Sequence, residues 1–444
     1  MSTLISLKNI NKLAIPALIS GVSEPILSLT DAAVLGNVKI NPTEALAAVG
    51  IVTTFMSMLI WVLGQTRSAL ASIISQYVGA DNLDDVRNLP AQAIMLITCL
   101  SLLIIAVTYP FAGYIFKFYN ASQLILDYCI DYYRIRVFGF PFTLFTIAVF
   151  GTFRGLQNTY YPMVIALLGT IVNIGLDFLL VYGYDNIIPA MHIKGAAFAS
   201  VFAQILMAVV AAHFLVRKTT IPLWVKFPLN KEVKRFLLMV ANLFVRTLAL
   251  NVTLYLGTSY SAGLGKSYIA AYTIGINLWF LAAFIIDGYA SAGGILSGKF
   301  LGAKDYEILL KLGNKLIRYG ILIGFILAVI GFALYYPIGR IFTKEQEVLN
   351  EFYNVFWIVL IMQPACAIAF IYDSIFKGLG KMKTLRNLLL IATFLVFVPV
   401  LYAMDFLDWK LYGVFVALFV WILARSFPLI YIFRRTFKPL SENA

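Results

Sequence analysis

The chain has 444 residues, of which 61% are hydrophobic, 15% aromatic and only 12% charged, and its net charge is +13. Soluble domains carry about 25% charged residues, so half that share, with apolar runs along the whole chain, excludes a soluble fold and places the protein in a bilayer. The positive charge does not read as nucleic-acid binding, because the basic residues fall mainly at the ends of apolar runs.

Each crossing needs about 20 predominantly apolar residues. Hydropathy predicts twelve helices, near 10–38, 46–78, 89–116, 124–153, 158–183, 193–216, 235–260, 268–300, 310–335, 349–378, 384–406 and 411–434. The first, from Ile10 to Val38, is too long for a signal-peptide core. It contains Pro16, and Glu24, Ser28 and Asp31 recur on one face at spacings of four and three. An acid at the centre of a spanning helix costs roughly 2.5–3.5 kcal/mol on insertion scales, so such residues face a bundle interior or a wet cavity.

Helix 4 brings Asp127, Asp131, Tyr132 and Arg134, with Asp131 and Arg134 spaced for a structural ion pair. Helix 5 sets Thr170, Asn173 and Asp177 on one face, and helix 6 sets Ser200 and Gln204 four apart. Carboxylates, an amide and hydroxyls of this kind suit Na⁺, with Asp31, Asn173 and Asp177 the candidate ligands. The same set suits a proton, because burial disfavours a charged carboxylate. Asn173 and Ser200 also have a bland reading, as residues that bond backbone carbonyls, and Glu24 as one half of an ion pair with another helix. Asp31 and Asp177 have no basic residue within four positions on their own helices, which favours a functional role.

Arg217 to Arg235 is the longest polar connection in mid-chain and contains Pro222 and Pro228. It divides the chain into an N-terminal lobe, residues 1–216, a linker, 217–234, and a C-terminal lobe, 235–444. The polar membrane residues of the second half are Arg246 and Asn251 on helix 7, Asn277 and Asp287 on helix 8, and Asp373 on helix 10. Asp287 and Arg246 form a candidate neutralising pair between helices 7 and 8. Trp61, Trp279, Phe280 and Tyr289 are candidates to line a cavity for flat cations, although packing or lipid contact is the commoner role. Cys99, Cys129 and Cys366 have no metal-ligand spacing, nor do His192 and His213. No Walker-type loop supports an ATP-driven pump, and no nucleophile–base pair supports an enzyme.

With the N-terminus inside, inner ends and loops collect 22 Lys and Arg and outer ones seven: Lys39, Lys117, Lys194, Lys266, Arg340, Lys344 and Lys410. That asymmetry predicts an even number of crossings with both termini cytoplasmic. Sliding the chain by 223 residues aligns Leu46–Ala80 with Ile269–Ala303 without a gap and matches seven of 35 positions. The same offset puts Phe153-Arg154-Gly155-Leu156 on Phe376-Lys377-Gly378-Leu379. One offset that aligns two helix-ending turns indicates a parallel repeat of two six-helix lobes. Two such bundles facing a central cleft, and rocking to open it to either side, are transporter architecture.

These residues resemble the multidrug and toxic compound extrusion (MATE) transporters, DinF-like subfamily, over essentially the whole chain. The specific parts are Pro16 with Leu29-Thr30-Asp31-Ala32-Ala33-Val34-Leu35-Gly36, Phe153-Arg154-Gly155-Leu156-Gln157-Asn158-Thr159, Asn173-Ile174-Gly175-Leu176-Asp177, and Gly195-Ala196-Ala197-Phe198-Ala199-Ser200. In the second half Arg246-Thr247-Leu248, Ile286-Asp287-Gly288-Tyr289-Ala290 and Tyr372-Asp373 look like the DinF-type pattern. The resemblance implies an all-α membrane protein of twelve transmembrane helices in two six-helix lobes related by pseudo-two-fold symmetry. It implies efflux of organic, often cationic, compounds in exchange for H⁺ or Na⁺, without a cofactor. Its cation site carries over onto Asp31, Tyr132, Asn173, Asp177 and Ser200, where the family more often has Thr at the last position, and its hinge onto Pro16. Glu24, Gln204, Arg246, Asn277, Asp287 and Asp373 are the candidates for a substrate or secondary site. Family members with a second-lobe Na⁺ site have an acid on helix 7, which is absent here and favours the first lobe.

The reading is a proton-coupled antiporter that works as a monomer in the plasma (inner) membrane on small molecules. Protonation of Asp31 or Asp177 bends helix 1 near Pro16 and releases substrate outward. Na⁺ coupling, organic-acid export with Arg246 as the anion contact, and lipid-linked oligosaccharide flipping are the alternatives. A flippase needs a basic cavity, and Arg67, Arg134, Arg136, Arg246 and Arg425 do not cluster in the sequence.

Overall fold

The computed structural model describes residues 5–36, 38, 41–119, 123–184 and 187–442, and among them there is no strand, only an isolated bridge between Tyr184 and Ile188. The spans are α1 (Leu7–Gly36), α2 (Thr43–Gly79), α3 (Leu83–Thr108), α4 (Leu124–Gly155), α5 (Tyr160–Tyr182) and α6 (His192–Lys218). They continue with α7 (Val233–Leu264), α8 (Lys266–Gly302), α9 (Tyr306–Ala333), α10 (Gln346–Ile361 and Gln363–Gly378), α11 (Met382–Phe406) and α12 (Lys410–Glu442). Among the described residues ten of these are long and apolar enough to cross a membrane and α10 is so as a bent pair, while α1 is a helix of 30 residues.

Local chemistry explains where the spans break. The third predicted helix ends at Thr108, and the residues that follow turn into a separate short helix, Ala112–Lys117. The tenth bends by 50° at Met362, beside Pro364, which has no N–H for the preceding turn. In α11 the residues Ala392–Phe397 widen into a π-helical turn just before Pro399. Between α7 and α8 the chain reverses at Gly265 with φ +130°, a conformation only glycine adopts without strain.

The chain forms two compact units: Met1–Leu18, Ser75–Asp81 and Ala241–Ala444 in one, Ile19–Ile74 and Asn82–Val240 in the other. In the second, the segment after α6 is pinned to the start of α3. Gln92 donates to the carbonyls of Lys226 and Pro228 and accepts from the Asn230 amide, and Arg87 donates to Thr220 O. In the first, Trp279 donates to the Cys366 sulfur at 3.2 Å within an aromatic and aliphatic core.

The internal repeat persists at the level of single hydrogen bonds. Asn158 N donates to Phe153 O and Lys381 N to Phe376 O; Gln157 N donates to Arg154 O and Gly380 N to Lys377 O. Gln157 and Gly380 both have positive φ, as do Asp81 and Lys304 at the other matched turn. Each donor and acceptor is displaced by the same 223 residues found in the sequence. Within the first unit the ends of α2 and α8 meet reciprocally. A Cβ on Gly79 would lie 1.8 Å from Lys299 O, and one on Gly302 would lie 1.8 Å from Gln76 O. Backbone carbonyls cannot step aside as flexible side chains do. Gly79→Leu and Gly302→Leu are each expected to destabilise the protein by about 3 kcal/mol, read as a lowered melting temperature of the purified protein.

Candidate functional site

The site is built in the second unit from α1, α2, α4, α5 and α6. Tyr182 Oη donates to Val34 O at 2.7 Å and ties α5 to α1 within about a turn of the acids on both helices. Gly195 lets α6 approach α5, since a Cβ there would meet Leu180 O at 2.5 Å. Asn173 on α5 then donates to Ser200 Oγ on α6 at 3.4 Å, in a buried position.

Inside this frame the side chains of Asp31 and Asp177 face each other within hydrogen-bonding reach. Asp177 is fully buried and Asp31 is 8% exposed. Among the described residues no donor stands between them: Asp31 Oδ1 and both Asp177 carboxyl oxygens are buried without a partner there. Tyr132 is buried too, and its hydroxyl lacks a partner among the described residues. Arg136, one turn further along α4, lies within electrostatic range of both acids and of Tyr132. An acidic pair without donors is poorly solvated, and like charges at contact are relieved by one bound cation.

Asp31 also lines a cavity of about 210 Å³. The wall carries hydroxyls from Ser20, Ser23, Ser57, Thr53, Thr143, Thr146 and Thr170, the amide of Gln204, and apolar surface from Met56, Ile60, Phe150 and Met207. Ser23, Thr143, Thr146 and Thr170 donate to carbonyls of their own helices, so they offer lone pairs to the cavity. Arg67 and Arg136 line it as well. Of the five intramembrane arginines, Arg67 and Arg136 line this one cavity, and Arg246 and Arg425 meet elsewhere on one acid.

That acid is Asp373. Arg246 binds it through Nη2 at 2.5 Å and Nε at 3.1 Å, Lys377 binds its other oxygen at 2.8 Å, and Arg425 stands 3.9 Å away. The expected Arg246–Asp287 pair is therefore corrected to Arg246–Asp373, because α10 presents its acid directly to α7, while Asp287 on α8 is exposed. The expected Asp131–Arg134 pair is corrected as well. Asp131 pairs with Lys194 at 3.0 Å, and Arg134 rests over the Tyr109 ring. Spacing along one helix could not anticipate partners on a neighbouring one.

The other candidates are dispersed. Asn277 is exposed and returns its amide to Thr273 O, Trp61 is exposed, and Trp279 is packed in the core. Gln204 lines the cavity with Oε1 lacking a partner. Pro16 sits half-buried in an unbroken α1. Glu24 and Ser28 lie on α1, but their side chains are outside the described residues, as is Lys39. Sequence reasoning left Arg67, Arg136, Thr143 and Thr146 out of the site. The four-residue spacing of Tyr132 and Arg136 was the available signal for one of them.

Comparison with known proteins gives a consistent picture. The sequence profile of the MatE family matches residues 16–179 and 243–403. DNA damage-inducible protein F of Escherichia coli (strain K12) is 24% identical over 388 residues, covering 86% of this chain and 82% of that protein. Multidrug resistance protein NorM of Vibrio vulnificus (strain CMCP6) is 26% identical over 418 residues, covering 90% and 88%. Protein DETOXIFICATION 42 of Arabidopsis thaliana is 29% identical over 251 residues, 56% of this chain, and the match spans about half of that protein, 47%. A solved structure described as MATE in the bent conformation superposes with a TM-score of 0.90 at 19% identity, over 98% of this chain and 96% of that one.

Proposed function

The chain belongs to the MatE family, whose members are multi-pass membrane transporters and not enzymes, and from the site in its second unit we propose that it is a secondary antiporter exporting organic compounds against an inward proton gradient. The observation that carries this reading is the donor-less Asp31–Asp177 pair in the wall of a cavity. A substrate cation and a coupling ion both seek the charge of Asp31, and one excludes the other. Mutual exclusion at one carboxylate is sufficient for exchange, because each ligand need only favour the state the other does not. The two carboxyls stand within hydrogen-bonding reach, so that one proton can be held by one and given to the other, which suits H⁺.

In this proposal Asp31, Asp177, Tyr132, Asn173 and Ser200 form the ion site, and Pro16 supplies a weak point in α1, where one backbone hydrogen bond is missing. The cavity lies within a single chain, so a monomer suffices, in a plasma (inner) membrane with both termini cytoplasmic.

The test is uptake and release of a cationic dye by purified protein in liposomes, with ΔpH and ΔNa⁺ imposed separately. Efflux is expected under the proton gradient alone. Efflux driven only by ΔNa⁺ would replace H⁺ by Na⁺ at the same site, and efflux under neither would overturn the antiport reading.

A further inference from the structure

The cavity has two ends of opposite chemistry. Arg136 stands beside Asp31 at one of them. Arg67 is placed at the other by a backbone contact. Gly151 has no Cβ, and an added one would lie 2.7 Å from the carbonyl oxygen of Arg67. Gly151 follows Arg136 by fifteen residues along α4, about 22 Å at 1.5 Å per residue. Allowing for the reach of the side chains, the Arg67 guanidinium and the Asp31 carboxylate are on the order of 15 Å apart.

The charges at the two ends are differently occupied. Asp31 shares its surroundings with Asp177 and Arg136 and has an oxygen without a partner. Arg67 forms no ion pair among the described residues, although it lines a cavity with no other acid in its described wall than Asp31. Between the ends, four of the seven hydroxyls, those of Ser23, Thr143, Thr146 and Thr170, give their protons to their own helices, so the charged donors of the wall are the two arginines. A guanidinium in such a place is a carboxylate- or phosphate-binding group, with a fork of donors matched to two oxygens.

We infer that the cavity selects elongated organic zwitterions, with the cationic group at Asp31 and the acidic group at Arg67, their charges separated by roughly 10–15 Å. This deepens the proposed function and rests on it, since it assigns the substrate to the same cavity. A purely anionic substrate fits less well with exchange. Protonating Asp31 would release Arg136 toward an anion, so proton and anion would bind together rather than exclude each other. For a zwitterion the proton competes with the cationic group, and Arg67 holds the acidic group without entering the competition.

The test uses the full chain in lipid nanodiscs and two radiolabelled probes. One is ω-trimethylammonio-undecanoate, whose charges stand at the required separation; the other is its methyl ester, which keeps the cation and lacks the acid. The zwitterion is expected to bind the wild-type protein at least about tenfold more tightly than the ester. Arg67→Gln is expected to remove that difference by weakening the zwitterion alone, and Arg67→Lys to restore part of it, which separates recognition from misfolding. Equal binding of the two probes, or no change in Arg67→Gln, overturns the inference while the cavity reading stands, provided Asp31→Asn weakens both. Binding of both that is indifferent to Asp31→Asn overturns the cavity reading itself.

Discussion

Asp177→Asn is expected to abolish proton-driven efflux while leaving substrate binding close to wild type, whereas Asp31→Asn loses both. The distinction follows from burial. Asp31 is part of the cavity wall, while Asp177 is fully enclosed and reaches only Asp31 and its neighbours. Asparagine keeps the shape of the acid but cannot exchange a proton. Losing a contact to a charged group costs about 1.5–3 kcal/mol, or roughly 10- to 100-fold in binding. Dye binding to Asp31→Asn should fall by that factor, and binding to Asp177→Asn should change by less than about threefold. Gradient-driven efflux in proteoliposomes should be lost in both. If Asp177→Asn kept full efflux under ΔpH, the pair would not be the coupling site.

The arrangement also explains why two acids are placed where one would seem to serve. A single carboxylate beside Arg136 would still draw a substrate cation, but the coupling ion would find no second negative charge there. The second acid restores a net demand for one positive charge. The Asn173–Ser200 bond holds α5 to α6 and so keeps Asp177 in position from behind.

The twelve helices were legible because hydrocarbon imposes a length and a composition that few other structures share. The repeat was legible because the turns after Gly155 and Gly378 need the same residues to close the same hydrogen bonds. In the site, Asp31 and Asp177 were legible as acids without local partners. The missing half was the basic one. Arg67 and Arg136 fall inside their spans, but spacing along one helix names no partner on another, and only the fold brings them to one cavity. The same limit misassigned Arg246 and Asp131. Periodicity reports which residues share a helix face, and only tertiary packing reports what that face meets.

Removing Asp373 tests the opposite kind of site, one in which the charges are satisfied by the protein itself. Its carboxylate accepts from Arg246 and Lys377 and lies close to Arg425, whose guanidinium also covers the rings of Trp421 and Phe370. Both arginines are almost wholly buried. Asp373→Asn leaves three cations around an amide, and breaking a buried pair from one side costs about 3–5 kcal/mol. For a unit of this size the melting temperature in detergent should fall by about 10 °C. Adding Arg246→Gln removes one of the stranded cations and should recover part of the loss, so the two substitutions will be far from additive. A transport role for Asp373 would give another result: Asp373→Asn would melt normally and lose efflux. The short contacts on both carboxylate oxygens favour the structural outcome, because an acid held by three cations has little charge left to offer an ion or a substrate.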